Sequence, residues 1–191
     1  MFRWYKPIVM HYRTATPSDV PALVKLYKAV ARIEGYIARL EHEITEEYVS
    51  NFVHKSLANG LIIVGENENN PEELIAEVHG YKNGIDIFNH VLGDVTFLVH
   101  PEHQGKGIGR TIFTIFLDEI VNHRPDIGKV ELFTGESNRR AIALYQSLGF
   151  MIEGRMEMRY RTPQGNYEAD IPLGWVSPGF EFDGNIPRLD N

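Results

Sequence analysis

A run of glycines between a strand-like and a helix-like segment constrains the fold of this sequence more than any other feature. The apolar segment Val91–Val99 ends before Pro101, and the sequence QGKGIG follows at Gln104–Gly109. The next apolar residues recur at helical spacing, at Ile108, Ile112, Phe113, Phe116 and Ile120. Glycines let successive backbone N–H groups converge, and the first turn of a helix adds further donors at the positive end of its dipole. The sequence therefore predicts an anion-binding turn, beside which Lys106 and Arg110 add positive charge.

Several cofactors could use such a turn. A dinucleotide-binding turn needs G-x-G-x-x-G near the start of a parallel sheet, whereas Gly105, Gly107 and Gly109 are spaced G-x-G-x-G. A triphosphate-binding loop needs Lys and then Ser or Thr after its last glycine, where this chain has Arg110. A glycine cluster taken alone most often just connects two elements. The spacing thus disfavours both nucleotide-binding interpretations. The interpretation as a turn that only connects two elements is not excluded by the spacing.

The rest of the chain alternates strand-like and helix-like segments. Strands are predicted at Met10–Thr14, Leu61–Val64, Leu74–Tyr81, Val91–Val99, Lys129–Thr134, Phe150–Tyr160 and Tyr167–Trp175. Helices are predicted after the caps at Thr16 and Thr45, after the glycine turn, and over Asn138–Leu148. This order predicts one mixed α/β (α+β) domain, with a central six- to seven-stranded mixed, mainly antiparallel sheet flanked by about four helices. We expect an N-terminal extension over residues 1–9, the domain over 10–176 and an irregular C-terminal tail over 177–191.

Composition excludes several classes of function. The net charge of -7 disfavours binding to nucleic acid and favours amine-bearing partners. The chain has no cysteine, which excludes disulfides, thiolate metal sites and a thiol nucleophile. No apolar run approaches the roughly 18 residues that cross a bilayer, and Met1–Arg13 lacks the apolar core of a signal peptide. We therefore expect a cytoplasmic protein that binds neither nucleic acid nor membrane.

Two motifs in the right order resemble one known family. Gln104–Gly109 resembles the Q/R-x-x-G-x-G/A signature of the GNAT superfamily of N-acetyltransferases. Downstream, a segment that resembles the family's N-x-x-A-x-x-L-Y-x-x-x-G-F pattern contains Asn138, Ala141, Leu144, Tyr145, Gly149 and Phe150. The resemblance extends over Met10–Trp175. It implies a GNAT-like fold and an acyl-CoA-dependent N-acyltransferase that transfers an acetyl group from acetyl-CoA to a primary amine of a small molecule or peptide.

The resemblance also implies where the coenzyme binds. Backbone groups of the glycine turn would hold the pyrophosphate, and backbone groups near the end of the preceding strand would hold the pantetheine arm and polarise the thioester carbonyl. Asn138 matches a coenzyme contact, although asparagine is equally a helix N-cap. The residues expected to bind the coenzyme are Phe97, Leu98, Val99, Gln104, Gly105, Lys106, Gly107, Ile108, Gly109, Arg110 and Asn138.

Catalysis by direct attack of an amine on the thioester needs no enzyme nucleophile but does need two proton transfers. Tyr145 matches the family's general-acid position, where a phenol can protonate the leaving thiolate; its helical spacing would also suit a packing role. For the general base the candidates are Glu77 and His79, which share one face of a strand, and Asp94 on the next strand. Glu131, on the strand after the glycine helix, is a further candidate. Each of these residues can equally be a surface charge.

Sequence leaves the acceptor and several alternatives open. The acceptor pocket is expected to be formed by the first two helices with their joining segment, Gly35–Thr45, and by the C-terminal hairpin. Arg39, Glu41 and Glu43 in the joining segment can interact with charges of the acceptor. A non-catalytic acyl-CoA-binding or regulatory module of the same fold is the alternative function. The third hypothesis is a nucleotide-dependent oxidoreductase, in which the glycines would form a dinucleotide-binding turn. A homodimer through the late strands also stays open.

A metal site is not predicted. His100 and His103 have a spacing that could suggest a pair of metal ligands, but they flank Pro101 and the sequence identifies no third and fourth ligand. The expected cofactor set is therefore acetyl-CoA alone, as the acyl donor.

Overall fold

The computed structural model describes residues 10–33, 35–68, 70–162 and 164–181, without the side chains of 71 and 72. Its strands are β1 Met10–Thr14, β2 Gly60–Asn67, β3 Asn70–Tyr81, β4 Val91–Val99, β5 Lys129–Gly135, β6 Met151–Ile152, β7 Met156–Arg161 and β8 Tyr167–Val176. Its α-helices are α1 Val20–Ala31, α2 Glu46–Asn59, α3 Ile108–His123 and α4 Arg139–Ser147. The predicted extension at residues 1–9 and most of the predicted tail, 182–191, lie outside the described residues.

The strands form one sheet in the order β1-β2-β3-β4-β5-β8-β6, and β7 also pairs with β8. All neighbouring strands are antiparallel except β4 and β5. The predicted mixed, mainly antiparallel fold class is thus confirmed. The single strand expected over Phe150–Tyr160 is divided into β6 and β7, which gives an eight-stranded sheet. The division begins opposite Pro172 of β8, which has no N–H group to donate to the ladder.

Each face of the sheet carries its own pair of helices. Leu26 of α1 and Phe52 of α2 pack in one apolar cluster with Ile62 and Val64 of β2. Ile63, whose side chain points to the opposite face, belongs to a second cluster formed by α3, α4 and the later strands. The sheet is therefore buried on both faces, and a ligand can reach its centre only where the strands separate.

The helices begin at or close to the residues that the sequence predicts. Thr16 and Asp19 form a capping box around the short 3-10 helix Pro17–Asp19, and α1 follows at Val20. The Thr45 hydroxyl accepts a hydrogen bond from the Tyr48 N–H at 3.1 Å, and the Asn138 side chain accepts one from the Ala141 N–H at 3.2 Å. Gly149 has the left-handed conformation expected at a helix end, with φ of 93°. The Asn138 amide nitrogen also donates to the Gly35 carbonyl at 3.4 Å, so both ends of this side chain have partners within the protein.

The Asp19 carboxylate connects the start of α1 to β1 through hydrogen bonds. These bonds allow a prediction about the free energy of unfolding. The carboxylate accepts two hydrogen bonds from Arg13 at 2.8 Å and one from the Thr16 N–H at 2.7 Å. Hydrogen bonds from Arg13 lower the pKa of Asp19 below its ordinary value. We expect Asp19→Asn to lower the free energy of unfolding at pH 7 by about 1–3 kcal/mol, the typical worth of hydrogen bonds to a charged group.

The pH dependence of this loss follows from the direction of the shift. With its pKa lowered by folding, Asp19 stabilises the protein above the pKa of the unfolded carboxyl, about 4, and this stabilisation is lost as pH falls through the lower folded value. The free energies of unfolding of wild type and Asp19→Asn, measured with urea, should therefore begin to converge below about pH 4. They should become equal once the pH is below the pKa of Asp19 in the folded protein. Asp118→Asn, at an exposed position of α3, is the control. A difference that persists unchanged into acid would contradict the assignment.

Candidate active site

A cleft opens in the middle of the sheet, where β4 and β5 separate. These parallel strands pair only at Val91–Lys129 and Leu92–Val130. Just beyond, Asp94 has a positive φ of 48°, and the pairing of β3 with β4 is irregular between His79 and Tyr81. A cavity of about 820 Å³ lies between the diverging halves of the strands and continues to the glycine turn. The separation leaves backbone groups of β4 facing the cavity instead of a neighbouring strand.

Alternation along β4 identifies these backbone groups. The His100 N–H donates to the Ile75 carbonyl at 2.7 Å, so the backbone groups of Leu98, two residues earlier, also point toward β3. Those of Phe97 and Val99 point toward the open edge. This corrects one of the three expected backbone contacts, because Leu98 pairs with β3 and places its side chain in the core.

The glycine turn closes one end of the cleft. Gly105 and Gly107 have φ of 76° and 84°, a region that favours glycine, and α3 begins immediately after them. Gly109 has another role, because a Cβ there would lie 2.8 Å from Cζ of Phe97. Two glycines thus shape the turn, and the third allows α3 to pack closely on β4. The first N–H groups of α3 are thereby held at the end of the cavity.

The polar side chains of the turn have partners within the protein. The Gln104 amide donates to the Val99 carbonyl at 3.1 Å, and Lys106 donates to the Glu102 carbonyl at 2.9 Å. Arg110 donates to the Ser147 hydroxyl at 2.8 Å, which links α3 to α4. Gln104 and Lys106 therefore stabilise the turn, while the backbone between them faces the cavity.

Arg140 is a residue of this end that sequence reasoning missed. Its guanidinium lies 3.9 Å from the position that a Cβ of Gly105 would occupy. It stands in the first turn of α4, where the helix dipole disfavours a positive charge. A cation at this unfavourable end of a helix indicates a nearby anion. The sequence already contained this signal, because Arg140 follows closely on Asn138, where the helix is predicted to begin.

Tyr145 of α4 lies at the wall of the cleft and within the core. Its ring contacts Phe113 and Phe150, with centroid distances of 5.5 and 5.8 Å. It also lines the cavity. Burial raises the pKa of Tyr145 well above its ordinary value, so the phenol keeps its proton at neutral pH. The packing role and the proton-donor role are therefore both compatible with its position.

The candidate bases Glu77 and His79 form a buried cluster with Tyr27 of α1. The Tyr27 hydroxyl donates to Glu77 Oε2 at 2.7 Å, and His79 Nδ1 lies 2.8 Å from Glu77 Oε1. Only His79 lines the cleft, whereas Glu77 is fully buried behind it. The structure thus corrects the expectation that Glu77 can take a proton from the acceptor directly. Tyr27 is not among the site residues predicted from the sequence.

Aromatic rings extend from His79 along the wall of the cleft. His79 stacks on Phe52 at 4.1 Å between centroids, and Tyr48 and Tyr81 lie on either side of this pair. Burial, with Asp94 as the next cause, raises the pKa of Tyr81 to about 12. Asp94 lines the cleft near Tyr81. No distinct signal for this row of rings was present in the sequence.

Three carboxylates considered from the sequence have other partners. Glu41 pairs with Arg32 at 2.8 Å, and Glu43 accepts a hydrogen bond from the Leu40 N–H at 2.7 Å. Glu131 pairs with Lys129 at 2.9 Å. None of the three lines the cavity found among the described residues. Of the charged residues expected to read the acceptor, only Arg39 faces the cleft.

The turn before Gln104 brings three metal-ligand types together. Ligand atoms of His100, Glu102 and His103 all lie within 4.8 Å of one another, so the third group that the sequence did not identify is Glu102. Burial and then the charge of Lys106 lower the pKa of His103. That same positive charge disfavours a cation at this turn. We therefore keep the prediction of no metal.

Comparison with known proteins bears on this geometry. A family model described as the Acetyltransferase (GNAT) family matches residues 23–150, more than half of the 191 residues. The chain belongs to the GNAT family of acetyltransferases. The open cleft between β4 and β5, with a glycine turn at its end, is thus the candidate acyl-donor site of this acetyltransferase.

Relatives of this acetyltransferase include enzymes with different acceptors in their names. L-amino acid N-acyltransferase MnaT of Escherichia coli is 28% identical over 149 residues, covering 77% of this chain and 83% of the relative. Spermidine N(1)-acetyltransferase of Vibrio cholerae is 34% identical over 70 residues, covering 35% and 38%. An acetyltransferase of Salmonella typhimurium, solved with its cofactor acetyl-CoA, has the same fold, with a TM-score of 0.77, 20% identity and coverage of 94% and 98%.

These findings confirm the main sequence-based predictions. The chain is a GNAT acetyltransferase, and the family and fold class that the resemblance implies are confirmed. No helix in the described part of the chain is long and apolar enough to cross a membrane. The roles of individual residues in the acetyltransferase stay predictions.

Proposed function

We propose that the protein acetylates a primary amine of a small molecule or peptide, which attacks acetyl-CoA directly while both are bound. The cleft is the observation that carries this proposal. It joins the glycine turn, the open edge of β4 and His79 in one cavity of about 820 Å³. A continuous cavity can hold donor and acceptor together, so that attack needs no covalent enzyme intermediate.

The donor end is proposed to bind the coenzyme mainly through backbone groups. The N–H groups of the turn and of the first residues of α3 would hold the pyrophosphate, with Arg140 and Arg110 adding positive charge. Backbone groups of Phe97 and Val99 would pair with the pantetheine arm as a strand partner does. A fixed N–H group on this edge would polarise the thioester carbonyl. It would thereby stabilise the negative charge that develops on the carbonyl oxygen during attack.

Two side chains are proposed to move the protons. His79 faces the cavity and would accept the proton of the incoming ammonium, while Glu77 holds its Nδ1 and fixes the tautomer. Tyr145 would donate a proton to the departing coenzyme thiolate. The reaction breaks the thioester C–S bond and forms the amide C–N bond, and the protein supplies a base on one side and an acid on the other.

Thiol release tests the proposal. A panel of amino acids, polyamines and short peptides is incubated with acetyl-CoA, and free thiol and acetylated product are measured together. We expect catalysed release of free thiol with at least one amine, and one equivalent of acetylated product for each equivalent of thiol. Binding of acetyl-CoA by calorimetry without release of thiol for any amine would instead favour the non-catalytic module.

The cytoplasmic location and a homodimer through the late strands stay predictions. The exposed Met151 and Met158 of β6 and β7 support the homodimer.

The glycine turn allows a matched test of coenzyme binding. Gly107 has φ of 84° and Gly84, outside the cleft, has φ of 79°, and neither has atoms within 4 Å of an added Cβ. Alanine costs similar backbone energy at both sites, about 1 kcal/mol. Gly107→Ala should weaken acetyl-CoA binding by about tenfold in calorimetry, because the Cβ obstructs approach to the turn. Gly84→Ala should leave that affinity unchanged, and equal effects of the two variants would refute the assignment.

A further inference from the structure

Glu77 is a carboxylate enclosed in the apolar layer between the sheet and helices α1 and α2. The residue is 0% exposed, and its cross-strand neighbours are the apolar Val64 of β2 and Leu98 of β4. A buried carboxylate is costly unless hydrogen-bond donors or cations surround it. Within the described ranges, no lysine or arginine pairs with Glu77. Its two oxygens depend instead on Tyr27 of α1 and on His79.

The number of protons in this cluster fixes the tautomer of His79. The Tyr27 hydroxyl donates to Glu77 Oε2 at 2.7 Å, and His79 Nδ1 lies 2.8 Å from Glu77 Oε1 and 3.2 Å from the Tyr27 oxygen. Burial and then the charge of Glu77 raise the pKa of Tyr27 well above its ordinary value, so the hydroxyl keeps its single proton for the hydrogen bond to Glu77. Nδ1 therefore faces two oxygen atoms that can only accept, and it has to carry the proton of the neutral ring.

The other ring nitrogen of His79, Nε2, is the one left for a substrate. Neutral imidazole has one N–H group, so a proton on Nδ1 leaves a lone pair on Nε2. His79 lines the cleft, and its Nε2 has no hydrogen bond with any residue that the structure describes. The ring lies flat against Phe52, with 4.1 Å between centroids and 3° between planes. Tyr27, Glu77 and Phe52 together thus fix the orientation of the ring and the nitrogen that can accept a proton.

The other titratable and charged groups around the pair Glu77 and His79 lie at or beside the aromatic rings. They come from α2, from the segment before α2, from β3 and from β4: Tyr48, Lys55, Arg39, Tyr81 and Asp94. In the described part of the chain, none of these five is hydrogen-bonded to Glu77 or His79. Of the described residues, Tyr27 and His79 alone hydrogen-bond to the Glu77 carboxylate. Loss of the Tyr27 hydroxyl would therefore act on the protonation of this pair directly.

We infer that Tyr27 is a positioning residue of this acetyltransferase, whose hydroxyl keeps Glu77 ionised and thereby leaves Nε2 of His79 free to accept the proton of the acceptor amine. This inference rests on the proposed function, in which His79 is the base. Tyr27 does not line the cavity, so it acts through Glu77. A phenol suits this role, because an ordinary pKa of about 10 keeps it protonated at the pH values where a histidine titrates.

Loss of the hydroxyl would disable the base by either of two routes. Oε2 of Glu77 would be left buried without a donor, so the pair would take up a proton at higher pH than in wild type. A proton taken up by His79 would occupy Nε2 directly. A proton taken up by Glu77 would be donated to Nδ1, and the ring would then carry its own proton on Nε2. Both routes place a proton on Nε2, so the direction of the pH effect is the same.

The pH profile of kcat/KM with one acceptor amine tests this role. In Tyr27→Phe the ring keeps its contacts with Phe52 and Tyr48, at 5.1 and 6.2 Å between centroids, and only the hydroxyl is lost. We expect the acidic limb of the profile to move to higher pH by about one unit, a tenfold change in proton uptake by the pair. Well above this limb, kcat/KM should approach the wild-type value, and KM for acetyl-CoA should not change. Tyr12→Phe, which removes a partly buried phenol outside the cleft, is the matched control.

Nitrogen-15 NMR of the histidine rings reports on the same cluster without turnover. Neutral His79 in wild type should carry its proton on Nδ1. The pH at which His79 takes up a second proton, or changes to the Nε2–H tautomer, should be about one unit higher in Tyr27→Phe. His79→Gln identifies the His79 signals among those of the eight histidines.

The two measurements separate this role of Tyr27 from packing and from the proposed function. If Tyr27→Phe only lowers the melting temperature and leaves the acidic limb and the His79 titration as in wild type, Tyr27 is a packing residue and the inference is overturned. Neutral wild-type His79 with its proton on Nε2 overturns it as well, whether or not Tyr27→Phe folds. If no amine is acetylated but the His79 titration shifts in Tyr27→Phe, the acetyl transfer fails and the control of the tautomer by Tyr27 stands.

Discussion

Replacing Tyr145 with phenylalanine is expected to lower kcat by about 100-fold, the usual contribution of a positioned general acid. The phenyl ring keeps the contacts with Phe113 and Phe150, so the core should be preserved. Only the hydroxyl is lost, and with it the proton donor for the coenzyme thiolate. Because burial raises the pKa of Tyr145, the donor is protonated throughout the neutral range, and the loss in kcat should not vary with pH there.

Steady-state kinetics separate the acid role from a packing role. If Tyr145 acts in the chemical step, kcat falls and KM for acetyl-CoA changes by no more than about twofold. Melting temperature is measured in parallel, because lost packing would lower stability together with activity. Tyr167→Phe, at an exposed residue of β8, is the control for loss of a phenol. Unchanged kcat in Tyr145→Phe would leave Tyr145 as a core residue only.

Replacing His79 with glutamine is expected to lower kcat/KM by about 100-fold, because it removes the base that faces the acceptor. Glutamine can keep a hydrogen bond to Glu77 but cannot accept the proton of an ammonium ion. Activity of the variant should recover partly as pH rises, since a larger share of the acceptor amine is then already deprotonated. The measurement is a pH profile of kcat/KM for wild type and variant with the same acceptor.

Variants at Glu77 and Asp94 complete this test. Glu77→Gln preserves shape but removes the charge that supports His79, so a smaller loss, about tenfold, is expected. Asp94→Asn should change kcat/KM by only a few fold, because His79 is the proposed base and asparagine tolerates the left-handed backbone of Asp94. If Asp94→Asn instead loses activity and His79→Gln does not, the base is Asp94. Circular dichroism checks that each buried variant is folded.

Local signals in the sequence gave most of the elements correctly. The caps at Thr16, Thr45 and Asn138 begin helices in the structure, because each motif is satisfied by backbone groups within three residues. The division of the predicted strand Phe150–Tyr160 was not predictable in this way. It occurs opposite Pro172, on a strand whose partner cannot be identified until the sheet is assembled.

The candidate site shows the same limit. Glu77, His79 and Asp94 were equivalent in the sequence, since each is a titratable residue on or beside a strand. Only the helices packed against β3 made Glu77 and His79 different. Glu77 is buried and accepts a hydrogen bond from Tyr27 of α1, whereas His79 stacks on Phe52 of α2 and lines the cavity.

By itself, the sequence determined the family and the fold class, and it predicted the acyl donor. A turn that binds pyrophosphate through its backbone has to be built from glycines at fixed spacing, and Gln104–Gly109 has this pattern. The proposed acceptor end is different, because it is formed by side chains far apart in the chain, from Arg39 to Tyr81. Their distances, burial and charges exist only once α1, α2 and the sheet have packed together, so only the tertiary structure shows which candidate side chains line the cavity.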